Sequence, residues 1–291
     1  MRKRRPSLYH PLLVAPGFLV YAVFFLLPVV VGFYYAFTDW NMYLDRISFN
    51  GFSNFRRMFL DPISSGSLVH TLIFAVCTTI GKNVFGLVLA LALNQAIRTR
   101  NMLRAVFFSP AVLSLIVVGL LFSSILYPEG ILNVFLRTIG LGALARSWLA
   151  DRTIVMYTIS MVEIWQWSGF HMAIYLAGLQ AIPKEFIEAS VIDGVNVWQK
   201  FGRITMPLII STFNINLVIS LIGGFKVFDL VFILTNGGPG RASEVINTQI
   251  YRVFGNGEWG FGTAMNLVLF LAITLIALTV LNLLRRREVE L

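Results

Sequence analysis

Long apolar runs alternate with short polar breaks along this chain. A helix that crosses the hydrocarbon core of a bilayer needs about 20 mostly apolar residues. Six stretches meet that length: 12–37, 68–93, 105–126, 153–179, 208–225 and 261–284. The pattern predicts an all-α membrane protein with six transmembrane helices. The fifth stretch is the least regular, because Gly223-Gly224 interrupts it and apolar residues continue to Leu234. A helix break at the two glycines would open backbone groups to a cavity.

The breaks carry the charge. With the N-terminus inside, the inner segments hold thirteen Lys and Arg, among them Arg2, Lys3, Arg4, Arg5, Arg98, Arg100, Arg104, Lys184, Lys200 and Arg203. The outer loops are longer yet hold nine, and Lys82 lies within the second stretch. Basic residues concentrate on the cytoplasmic side of membrane proteins, so both termini and the polar segment before span five are expected there. The chain then divides into a basic N-terminus 1–11, a first helix and outer loop 12–67, a core 68–285 containing the polar loop 181–207, and a tail 286–291. The first apolar run is too long for a signal peptide and no A-x-A site follows, so it reads as a retained helix.

Composition narrows the class further. Hydrophobic residues make up 57% and charged residues 13% of the 291, where a soluble domain carries about a quarter charged. The net charge of +9 fits helix orientation better than a nucleic-acid partner. A single Cys excludes an intramolecular disulfide, and three scattered His lack metal-ligand spacing. Gly81-Lys82-Asn83 lacks the upstream glycine of a nucleotide-binding loop and lies in an apolar span.

The loop between spans four and five is the most distinctive. Pro183 suits a first helical turn, Glu185 and Glu188 favour a helix N-terminus, and Gly194 suits its end. A short helix from Pro183 to about Val195 is expected. Phe186, Ile187 and Val191 would pack on the protein, with Glu188, Ala189 and Asp193 facing out. Small residues at Ala189 and Ser190 would allow close approach to another surface. Glu188-Ala189-Ser190, then Gly194, Ile204 and Pro207, resembles the EAA loop of ABC importer permeases. Ser190 replaces the second Ala and Met206 replaces a Leu of that motif.

Other stretches resemble the carbohydrate branch of the same family: Ala15-Pro16-Gly17, Thr38-Asp39-Trp40, Gly51-Phe52-Ser53-Asn54-Phe55, Phe228-Asp229 and Thr235-Asn236-Gly237-Gly238-Pro239. The resemblance implies an ABC type I importer permease that is not itself an enzyme and binds no cofactor. It implies a second permease subunit, in this family often a non-identical one, two ATPase subunits that hold ATP and Mg, and an extracytoplasmic solute-binding protein. It also implies a multi-pass location in a bacterial cytoplasmic membrane. Glu188, Ala189, Ser190, Asp193 and Gly194 would then form the ATPase-coupling element.

Polar groups inside spans point to a substrate path. Glu163, Trp167 and Phe170 share one helical face in span four. A carboxylate between rings suits a sugar, accepting hydroxyl hydrogens while the rings cover apolar sugar faces. Span five offers Asn216, Ser220 and Gly224, and span six Asn266. An alternative pairs Glu163 with Lys82 as a structural ion pair, removing it from substrate duty. With Glu163 present and no Arg in spans three to six, a neutral oligosaccharide fits better than a glycerol phosphate. Two other classes stand behind this one: a secondary transporter with Glu163 as proton carrier, and a membrane enzyme using Glu163 or Asp229. No inverted repeat supports the first and no paired carboxylates or nucleophile supports the second.

Overall fold

A computed structural model describes residues 14–285 of the chain. The basic N-terminal cluster and the tail from 286 lie outside the described residues, as do the side chains of Val191 and Arg285. Among the described residues every regular element is helical, and one isolated bridge pairs Thr38 with Phe49. In chain order the helices are α1 (Ala15–Tyr35), α2 (Ser53–Leu60), α3 (Pro62–Leu93), α4 (Arg100–Phe108), α5 (Leu115–Ile125) and α6 (Ile131–Thr138). Then follow α7 (Val155–Gln180), α8 (Lys184–Ile192), α9 (Val197–Leu208), α10 (Ile210–Phe225), α11 (Asp229–Thr235), α12 (Ile246–Gly255) and α13 (Trp259–Arg285).

The chain forms two compact units. One comprises residues up to Leu60 together with Ile250–Val268. Within it the Asn54 amide donates to the carbonyls of Ala36 (3.0 Å) and Thr38 (2.8 Å). Trp40 packs on Trp259 at 5.0 Å between ring centroids, and Arg57 pairs with Glu258. Helix α1 has no buried residue among its apolar window.

The second unit, Asp61–Gln249 with Leu269 onward, is a helical bundle built on α3 and α7. Asp61 caps α3 by accepting from the Ser64 N–H at 2.9 Å, with Pro62 opening the helix. That cap starts the helix six positions before the apolar run does. Helices α3 and α7 approach closely at Gly86, where a Cβ would stand 2.8 Å from the Cβ of His171. Phe74, Val118, Ile159, Val162, Leu230 and Val231 form one apolar core, and Ala90, Met172, Tyr175, Leu179 and Ile209 a second.

Three helices, α1, α3 and α13 (to Leu284), are long and apolar enough to cross a membrane, and two bent pairs raise the number to five if each counts once. The third expected span is one of these pairs: α4 continues through a 3-10 turn, and α5 leaves at 97°. Pro110 lies in that turn, where it cannot donate to a continuing helix. The expected fifth stretch, 208–225, falls in the other pair, α9 and α10, bent by 73° at Ile209. The expected break at Gly223-Gly224 does not occur. Helix α10 runs through both to Phe225, and the chain turns at Lys226–Phe228. Gly224 serves packing instead, since a Cβ there would stand 2.7 Å from Ala75 Cα on α3.

Helix α7 meets the expected fourth span in length but is too polar to count as an apolar crossing. Its 26 residues, about 39 Å at the standard helical rise, include buried Glu163, Gln166, Ser168 and His171. A helix surrounded by others can carry such groups, because its neighbours supply their partners.

Candidate functional site: a cavity at the junction of α3, α7 and α10

A cavity of about 330 Å³ opens in the second unit. Helix α7 contributes Glu163, Trp167, Phe170 and His171, which succeed one another on one helical face. Lys82 enters from α3, Gly223 and Lys226 from the end of α10, and Phe228 and Asp229 from the turn into α11. The Trp167 and Phe170 rings stand edge to face at 6.0 Å.

Lys82 and Glu163 meet in the cavity wall. Lys82 Nζ donates to Glu163 Oε1 at 3.3 Å, with the two residues 3% and 7% exposed. The carboxylate is thus ion-paired and also lines the cavity. Removing one member of a buried pair strands the other charge at a cost of about 3–5 kcal/mol. Gly223 lines the cavity next to this pair, and a Cβ there would make ordinary contact with Nζ at 3.9 Å.

The remaining expected path residues lie elsewhere. Ser220 is buried between helices, where its hydroxyl accepts from Asn83 Nδ2 at 2.8 Å. Asn216 Oδ1 lies 2.7 Å from His171 Nδ1 and is fully buried. Gly224 sits at the α3 contact described above, and Asn266 is exposed on α13. These groups stand outside the cavity lining. His171, Lys226 and Asp229 were absent from the expected path. The face of Glu163, Trp167 and Phe170 extends by one position to His171, so spacing alone could have named it. Lys226 opens and Asp229 follows the turn at Lys226–Phe228, beyond the glycines where a break was expected, and no spacing signal pointed to them.

The loop before α9 forms the second candidate element. Helix α8 ends as expected: Gly194 takes φ +65°, and the Val195 N–H reaches the Ser190 carbonyl at 3.3 Å. Glu188, Ala189 and Asp193 are exposed. Ser190 turns inward at 2% exposure, and its hydroxyl donates to the Ile187 carbonyl at 2.6 Å. Its small size thus serves contact with the chain itself. Phe186, expected to pack inward, is exposed, while Ile187 is half-buried. Asn196 and Gln199 form a capping box that opens α9, with bonds of 2.8 and 3.0 Å. Beside it Ile192 is 86% and Trp198 83% exposed.

Known proteins place this architecture. Residues 82–289 match the family described as "Binding-protein-dependent transport system inner membrane component". The chain is 34% identical to the "Probable starch degradation products transport system permease protein AmyD" of Thermoanaerobacterium thermosulfurigenes, over 98% of this chain and 96% of that one. It is 32% identical to the "Arabinooligosaccharides transport system permease protein AraP" of Bacillus subtilis strain 168, over 97% and 89%. A chain of a bacterial ABC transporter "involved in the import of the acidic polysaccharide alginate" superposes with a TM-score of 0.82 and 25% identity, over 94% of each chain. The chain belongs to the family of binding-protein-dependent transport system inner membrane components and has the fold of an ABC importer permease.

Proposed function

We propose that this chain is the transmembrane permease subunit of an ATP-driven importer that carries a neutral oligosaccharide across a bacterial cytoplasmic membrane. The observation that carries the reading is the cavity of α3, α7 and α10. It offers a carboxylate, two rings and a balanced set of charges: Lys82 against Glu163, and Lys226 with Asp229 on the same rim. Rings and hydrogen-bonding groups in that combination suit a sugar. A glycerol phosphate would call for cations in excess of carboxylates. Starch products and arabinooligosaccharides, in the names of two relatives, support a saccharide cargo.

The working unit is larger than this chain. A second permease subunit, two ATPase subunits holding ATP and Mg, and an extracytoplasmic binding protein complete it. Counting α7 and each bent pair as one crossing gives six, with both termini and α8 cytoplasmic by the distribution of basic residues. Glu188, Ala189 and Asp193 are exposed and supply the docking face for the ATPase. Helix α8 lies between α7 and α10 in sequence, so movement of the loop is passed to two walls of the cavity.

The test is uptake of labelled oligosaccharide into proteoliposomes holding the complete complex. Uptake should require binding protein and hydrolysable ATP, and Glu163→Gln should lower it about tenfold with the complex intact. Uptake that persists with an inactive ATPase would sink the reading in favour of a secondary transporter.

A further inference from the structure

The family does not fix the charge of the cargo: one relative is named for starch products, and a structural neighbour for an acidic polysaccharide. Within the permease, the residues of each cavity are where cargo charge can be read. We infer that Lys82 is the specificity-determining residue that restricts this cavity to uncharged sugars, by holding Glu163 as a neutral pair in its wall. The inference rests on the proposed substrate path and names a residue that the path expected from sequence omitted.

The geometry leaves the pair half used. The contact at 3.3 Å is longer than the 2.7–2.9 Å of a strong charge-assisted bond. Lys82 has three N–H donors, and among the described residues its ammonium makes this one bond. Glu163 Oε2 makes no bond among the described residues, and Glu163 lines the cavity. The pair therefore presents donors and an acceptor side by side. A vicinal diol matches both, since one hydroxyl can donate to Oε2 while its neighbour accepts from Nζ. The carboxylate of a uronate, like a phosphate, offers acceptors alone. It would have to displace Glu163 from Lys82 and sit beside a like charge, which is a strong penalty in a confined site. Lys226 and Asp229 on the rim add one charge of each sign, so they do not tip the balance.

The test uses the purified complex of permease and ATPase subunits, without the binding protein, so that its own selectivity does not enter. Saturation-transfer NMR compares a neutral glucan trisaccharide with a trisaccharide of uronate units. The native complex should prefer the neutral sugar by about tenfold or more. Glu163→Gln frees the ammonium and should raise uronate affinity about tenfold. The exchanged pair Lys82→Glu with Glu163→Lys restores neutrality and should restore the preference, and Lys82→Arg should keep it. An intact Glu163→Gln complex with unchanged uronate binding would overturn the inference. So would an exchanged pair that assembles but discriminates no better than Glu163→Gln. If neutral binding is lost on Trp167→Ala yet selectivity ignores both Glu163→Gln and the exchange, only the role of Lys82 fails. If the native complex binds neither sugar, the cavity as substrate path fails with it.

Discussion

Tyr175 on α7 donates its phenolic hydrogen to Asn83 Oδ1 on α3 at 2.6 Å. The same Asn83 amide donates to Ser220 Oγ on α10 and to the Thr79 carbonyl. One side chain thus joins three helices. Asn83→Leu should cost about 2 kcal/mol, because it leaves the buried Tyr175 hydroxyl without its acceptor. Ser220→Ala should cost under about 1 kcal/mol, as bonds between membrane helices are individually modest. Thermal unfolding of the purified complex would rank the two; equal losses would contradict the central place of Asn83.

The ion pair can be weighed by a double-mutant cycle. Lys82→Met alone strands Glu163 and should destabilise by about 3–5 kcal/mol. Lys82→Met with Glu163→Met should recover most of that loss, since no buried charge remains. A double variant as unstable as the summed singles would show the two residues uncoupled.

Close packing at Gly86 gives a third expectation. A side chain there meets both the Cβ and the backbone of His171, so Gly86→Val must push α3 from α7. Folded complex should fall several-fold in yield, measured by size-exclusion chromatography. Gly66→Val, on the same helix with open space around it, should leave the yield within about twofold, its cost being a fraction of a kcal/mol at most.

At the loop, Glu188→Lys should abolish uptake by weakening ATPase docking while the permease still inserts. Gly194→Asp should act alike, adding a side chain and a charge at the helix end where the backbone holds φ +65°. ATPase co-purifying at the native ratio with both variants would count against the loop as its docking element.

Helix positions were legible where periodicity and caps agree. The α8 helix and its Gly194 end were readable because Pro183 and Gly194 encode their positions locally. The course of α10 past Gly223-Gly224 was not, because it depends on how near Ala75 of α3 lies, a contact between residues far apart in sequence. The right-angle bend before α5 has a local trace in Ser109-Pro110, but its apolar surroundings read as one continuous span. Of the cavity, Glu163, Trp167 and Phe170 share a face that spacing reveals. Ser220 and Asn216 share a spacing equally good, yet packing turned them to Asn83 and His171. Periodicity says which residues share a face; it does not say what that face meets.

The polarity of α7 bears on how the chain is made. With Glu163, Gln166 and His171 along its length, the helix is a poor substrate for insertion into lipid by itself, since each such group raises the transfer cost. Helix α3 is synthesised first and carries Lys82 and Asn83, the partners of Glu163 and Tyr175. On the six-crossing reading proposed above, entry of α7 into the bilayer is a joint event with an earlier helix. A variant lacking Lys82 would meet its first difficulty at the translocon, before any sugar reaches the finished transporter.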